Sequence, residues 1–205
     1  MKTLSPTAPK MNMWLVVGLY VVFVAVATLL TWPLLGQLPW ALPGARVVSP
    51  WISIGVGLAC AAWMVWITGR LILRYAWARD LAEGTHTLVY PLTVPRAIVL
   101  SVASGTGEEI FFRGALMPLI AALMGWILHV DPSSLGPMVI AWITSSAAFG
   151  AAHIGPDVRF RAWGWLAAAG GLVFGALTWL TGTVLAAIVC HMFLNLCNLR
   201  STISR

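Results

Sequence analysis

An all-α, polytopic integral membrane protein with about six transmembrane helices and both termini in the cytoplasm is the fold class this sequence predicts. Three observations predict it. Only 9% of the residues are charged and mean hydropathy is +0.90, as in a chain solvated mostly by lipid. Apolar runs of about 17–25 residues recur, each long enough for a hydrocarbon core of roughly 30 Å. The basic residues alternate between connections. Lys2 and Lys10 precede the first span, Arg70, Arg74, Arg79 and Arg96 lie around the second connection, Arg159 and Arg161 follow the fourth span, and Arg200 and Arg205 follow the last. The remaining loops hold only Arg46. This is the positive-inside pattern. It assigns the net charge of +6 to topology and excludes nucleic acid as the partner.

The spans expected are 13–35, 51–73, 106–129, 138–155, 162–180 and 183–199. The apolar stretch of the first exceeds the roughly 7–15 residues of a signal peptide, and no small-residue cleavage site follows, so it reads as a retained anchor. Pro39, Pro43, Gly44 and Pro50 make the next segment an outer loop. Residues 74–95, with Arg79, Asp80, Glu83, His86 and two prolines, form the aqueous stretch. A straight helix over 96–129 would be about 50 Å long at roughly 1.5 Å per residue. Residues 96–104 are therefore expected to lie along the interface, with a break at Gly105 and Gly107 or a kink at Pro118.

Gly136-Pro137 and Thr181-Gly182-Thr183 supply the later turns. In the fifth span, Gly171 and Gly175 have the four-residue spacing of closely packed membrane helices. Trp32, Trp40, Trp51, Trp126 and Trp179 fall near span ends as interfacial anchors. Cys60, Cys190 and Cys197 match neither a metal ribbon nor a disulfide framework and read as buried, inert thiols. His86 reads as a polar loop residue and His129 as an interfacial one beside Asp131. No linker divides the chain, so residues 1–205 are expected to form one domain, with a motif-bearing core over about 96–199.

Against this apolar background stands Glu108-Glu109-Ile110-Phe111-Phe112-Arg113. One such charge at a bilayer centre costs roughly 2.5–3.5 kcal/mol on insertion scales, so three within six residues require partners and a purpose. Two further polar motifs follow, Phe149-Gly150-Ala151-Ala152-His153 and His191-Met192-Phe193-Leu194-Asn195. The expected topology brings all three into the cytoplasmic half of the membrane. Glu109 and Arg113 are spaced i,i+4 with the acid first, the favourable order for a helical ion pair. That leaves Glu108 over as a general base, held with His153 to activate water. His191 and Asn195 share a helical face and can donate to one developing oxyanion. Phe149 and Phe111-Phe112 are most simply packing residues.

These three motifs, in this order, resemble those of the CPBP family, which comprises type II CAAX prenyl proteases and bacteriocin-processing enzymes. The resemblance implies an all-helical intramembrane endopeptidase of glutamic type. It implies that Glu108 activates water with assistance from His153, that His191 and Asn195 form the oxyanion hole, and that Glu109, Arg113 and Phe149 support the site. The chain is shorter than the eukaryotic enzymes. Its size is closer to the myxosortase branch, which implies a bacterial cell-membrane enzyme trimming the C-terminal membrane anchor of a protein substrate.

No cofactor is expected. A zinc site built from Glu108, His153 and His191 is the alternative mechanism, disfavoured because no two histidines lie four residues apart. Two other readings keep the cluster without proteolysis. One is a membrane scaffold or immunity-type protein, the other a proton pathway, which clustering in one half of the bilayer disfavours.

Overall fold

The computed structural model describes residues 12–89, 92–154 and 161–203, apart from the side chains of 86–89 and 201–203. Lys2, Lys10, Arg159, Arg205 and the His86 side chain, which entered the topology and loop expectations, lie outside the described residues. The helices are α1 (Met13–Leu35), α2 (Pro50–Arg74), α3 (Ala76–Val89), α4 (Val94–Glu109), α5 (Met117–Leu128), α6 (Leu135–Ala152), α7 (Arg161–Thr181) and α8 (Leu185–Ile203). A π-helical segment, Ile110–Leu116, joins α4 to α5. There is no strand among the described residues beyond one isolated bridge, Ala41 to Thr183.

The protein is an all-α membrane protein. Among the described residues five helices are long and apolar enough to cross a bilayer: α1, α2, the continuous Val94–Leu128, α6 and α7. The apolar stretch of α8, Leu185–Arg200, is the shorter sixth. Large apolar side chains such as Trp14, Leu29, Trp51, Trp126, Trp165 and Leu180 are exposed on the outer surface, where lipid replaces water as the solvent. α4 packs between α1 and α8, α8 also contacts α2 and α7, and α6 pairs with α5 and α7.

Several expectations need correction. Residues 94–128 form one continuous helix, about 50 Å long at 1.5 Å per residue, which a bilayer accommodates by tilt or protrusion. Gly105 and Gly107 do not break it. They thin it for close approach instead. A Cβ on Gly105 would lie 2.6 Å from Met192 Cγ of α8, and one on Gly107 would lie 2.8 Å from Tyr20 Cβ of α1. The irregularity falls later, where Met117 N–H bonds the Phe112 carbonyl five residues back. Pro118 has no N–H to offer the preceding turn, and the wide π turn absorbs that loss.

The stretch read as simply aqueous contains α3, whose Ala78, Leu81 and Gly84 are buried while Arg79, Asp80 and Glu83 are exposed. Gly136 and Pro137 belong to the first turn of α6, where proline is tolerated. The turn before it is made by Asp131, whose Oδ1 accepts from Ser133 N at 2.7 Å and Ser133 Oγ at 2.6 Å. Those hydrogen bonds hold the exposed Asp131 carboxyl below its ordinary value. Of the cysteines only Cys190 is buried; Cys60 is intermediate and Cys197 exposed.

The expected loop after α1 is present and tied down. Leu42 N bonds Gly182 O at 3.0 Å and Val184 N bonds Trp40 O at 3.1 Å. Gly182 has φ 70°, a left-handed conformation that suits glycine, and a Cβ there would meet Arg46 O at 2.6 Å.

Candidate active site

The three motifs converge. Glu108 comes from the last turn of α4, His153 from the C-terminus of α6 and His191 from the second turn of α8. Glu108 Oε2 lies 3.6 Å from His153 Nε2 and 3.9 Å from His191 Nε2, beyond a direct hydrogen bond and within the span one water bridges. This oxygen accepts no hydrogen bond from the described residues. The other oxygen, Oε1, accepts from Tyr20 Oη at 2.8 Å.

The end of α6 sets the orientation of His153. The helix stops at Ala152, and His153, with φ −99° and ψ 0°, turns its backbone N–H to Gly150 O at 3.0 Å. Carbonyls in a terminal turn lack their helical partners. The His153 ring answers one of them, with Nδ1 2.8 Å from Phe149 O. A carbonyl only accepts, so Nδ1 carries the proton, and in the neutral ring Nε2 presents its lone pair toward Glu108.

His191 is placed by a second carboxylate. Its Nδ1 is 2.8 Å from Glu109 Oε1. Nδ1–H is the donor there, and Nε2 becomes a donor only in the doubly protonated ring. Phe174 stacks on the imidazole at 4.8 Å between centroids and 12° between planes. Glu109 and Arg113 are both fully buried. Arg113 Nε lies 3.3 Å from Glu109 Oε2, and Nη1 donates to Oε1 at 3.4 Å. The expected i,i+4 pair therefore exists, and its anion also holds His191.

The guanidinium sits among aromatic faces, its Cζ 4.4 Å from the Phe149 centroid, 5.6 Å from Phe174 and 5.7 Å from Phe112. Such desolvated cation–π contacts are worth about 2 kcal/mol. Phe149 is thus more than packing: its carbonyl orients His153 and its ring covers Arg113. Gly171 makes room for the cation, since a Cβ there would lie 2.9 Å from Arg113 Nη2 and 3.1 Å from Ser146 Cα.

Asn195 lies one turn beyond His191, as its spacing predicts, but its Nδ2 donates to Ser104 Oγ at 3.0 Å. His191 and Asn195 therefore engage different atoms of α4. Ser104 is one helical turn before Glu108 on α4, so Asn195 is anchored one turn from the carboxylate's position on that helix.

Tyr20, Ser104, Phe174 and Gly171 were not singled out for the site from sequence. Tyr20 stands alone in an apolar span and Ser104 is a small residue on an ordinary helix. The only available signals were a phenol inside an anchor and a four-residue spacing to Glu108. Among the described residues no group of three His, Cys, Asp or Glu is arranged to hold a metal ion. A cavity of about 500 Å³ opens beside Arg46, Pro118, Pro132 and Trp179. It lies at the far end of the bundle, and none of the cluster lines it.

Residues 90–197, just over half of the chain, match the family model described as type II CAAX prenyl endopeptidase Rce1-like. No curated protein and no solved structure matches the chain.

Proposed function

The chain belongs to the Rce1-like family of type II CAAX prenyl endopeptidases, and from that membership we propose a water-dependent intramembrane endopeptidase in which Glu108 is the general base. The observation that carries this reading is the Glu108 Oε2 atom, without a hydrogen bond from the described residues and set 3.6 Å and 3.9 Å from two imidazole nitrogens. A water between Oε2 and His153 Nε2 donates one hydrogen bond to each. As the water oxygen bonds to the scissile carbonyl carbon, its proton passes to Oε2 and the carbonyl electrons move onto oxygen. Collapse of that intermediate breaks the C–N bond, and the departing amine takes the proton from Glu108.

His191, held by Glu109, and the Asn195 amide serve the oxyanion. A donor of this kind is worth about 2.7–4 kcal/mol in the transition state. The mechanism we propose is metal-free. The substrate is a membrane-anchored or lipid-anchored protein cut near its C-terminus. We place the site on the cytoplasmic side of a bacterial cell membrane, a reading supported by the sequence positions of Arg70, Arg74, Arg79 and Arg96 around the second connection against Arg46 alone in the first.

The test compares membrane-protein C-termini by mass spectrometry in a deletion strain complemented with wild type, Glu108→Gln, Glu108→Ala or His153→Ala. Uncut tails should accumulate with all three variants, and the tails name the substrate. Full processing by folded Glu108→Ala would reduce the cluster to a scaffold.

A further inference from the structure

The family match covers residues 90–197, yet one polar partner of Glu108 comes from outside it, on α1. Tyr20 donates its phenolic hydrogen to Glu108 Oε1 at 2.8 Å. Three features build this contact. Gly107 has no Cβ where the Tyr20 Cβ sits, and a methyl there would come within 2.8 Å of it. Phe23, one turn along α1, meets the Tyr20 ring edge to face, with centroids 6.0 Å apart and planes at 87°. Phe23 in turn packs on Phe111 at 5.0 Å, which anchors α1 to the π segment.

The rest of α1 shows how specific the contact is. Ala27 and Thr31 are its only buried residues among those described, and Thr31 satisfies its hydroxyl on its own helix through Ala27 O. The Tyr20 hydroxyl instead reaches across to another helix. A carboxylate has two chemically equivalent oxygens, and a glutamate side chain that rotates freely presents either one or neither to a bound water. Fixing Oε1 leaves Oε2 as the oxygen that faces His153 Nε2 and His191 Nε2. Preorganisation of this kind lowers the barrier because geometry is set before the reaction begins.

We propose that Tyr20 is a positioning residue for the general base: it clamps Glu108 Oε1, and so makes α1 part of the catalytic machinery. This rests on the reading of Glu108 as the base. A helical staple with no catalytic consequence is the competing account.

The test uses the full chain reconstituted in phosphatidylcholine and phosphatidylglycerol vesicles. The infrared difference between wild type and Glu108→Gln assigns the Glu108 carboxyl band. Tyr20→Phe, which removes one oxygen, should shift that band, while the control Tyr75→Phe should not. With an internally quenched farnesylated peptide ending in a CAAX sequence as the probe, Tyr20→Phe should lower kcat by roughly tenfold to a hundredfold, the range for losing one hydrogen bond to a charged group. KM should change by less than about twofold, since Tyr20 is proposed to act through Glu108.

An unshifted band overturns the proposal. So does a shifted band with wild-type kcat, which makes the contact a staple. If Glu108→Gln cleaves as fast as wild type, the base itself is wrong and the role of Tyr20 falls with it. If wild type leaves the probe uncut, turnover is read instead from membrane-protein C-termini in the deletion strain complemented with Tyr20→Phe, where wild-type processing overturns the proposal.

Discussion

Replacing Arg113 by Met leaves the buried Glu109 with His191 as its remaining partner. Both side chains are fully buried and 3.3 Å apart, and the cation also lies 4.4 Å from the Phe149 ring centre. Removing one partner of a buried ion pair costs about 3–5 kcal/mol, because the remaining charge stays desolvated without its counter-ion. The lost cation–π contact is worth about 2 kcal/mol and overlaps with that figure, so we expect a total of about 4–6 kcal/mol. That rivals the whole stability of many domains, about 5–15 kcal/mol.

The double variant Glu109→Gln/Arg113→Met should behave differently. Neither charge is then left alone, Met fills much of the arginine stem's volume, and the Gln carbonyl can still accept from His191 Nδ1–H. Exchanging a buried pair for uncharged groups of similar size is often neutral or stabilising by 1–4 kcal/mol. The double variant should therefore lie within about 2 kcal/mol of wild type, with a coupling energy large enough to stand out in a double-mutant cycle. Turnover should nonetheless fall about tenfold, because a neutral acceptor replaces a charge-assisted one at His191. The assay is equilibrium unfolding of the four proteins in bicelles, followed by turnover of the stable ones. If the double variant loses as much as the two single variants together, the pair is not one energetic unit. If it is both stable and fully active, the pair staples helices and has no part in orienting His191.

The remaining expectations concern the neighbours of the cluster. Gly171→Ala places a methyl 2.9 Å from Arg113 Nη2 and 3.1 Å from Ser146 Cα, and should destabilise by about 1–3 kcal/mol through overpacking, measured by thermal unfolding. Combining it with the Glu109→Gln/Arg113→Met pair should shrink that cost; an unchanged cost would place the clash at Ser146 alone. Ser104→Ala removes the acceptor of the Asn195 amide and should lower kcat by roughly tenfold, the worth of about one neutral hydrogen bond; unchanged turnover would show that Asn195 needs no anchor. A chelator titration of the purified protein should leave activity intact, and loss of activity restored by zinc would replace the general-base mechanism with a metal-dependent one.

Some of this protein was legible residue by residue. The extents of α1, α2 and α7 follow from apolar length, because a hydrocarbon core accepts only segments with their backbone bonds internally satisfied. Glu108, Glu109, Arg113, His153 and His191 stood out because charge is expensive in such segments, and the structure brings them together. The i,i+4 rule paired Glu109 with Arg113. The same local reasoning misjudged Gly105 and Gly107, since a missing side chain reads as a break until a partner helix occupies the space. It also left α3 undivided from its aqueous surroundings, because its small buried face gains meaning only against α2, α7 and α8.

What the sequence determined by itself is a lipid-solvated helical chain whose few polar groups had to find one another. Local rules reach about one turn along a helix, and that suffices to place a span or an ion pair within it. The tertiary structure decided which oxygen of Glu108 is held by Tyr20 and which faces the imidazoles. It also decided that Glu109 serves both Arg113 and His191, and that Asn195 turns to Ser104. Those choices depend on distances between helices that are remote in the chain, and Tyr20 and Glu108 are 88 residues apart.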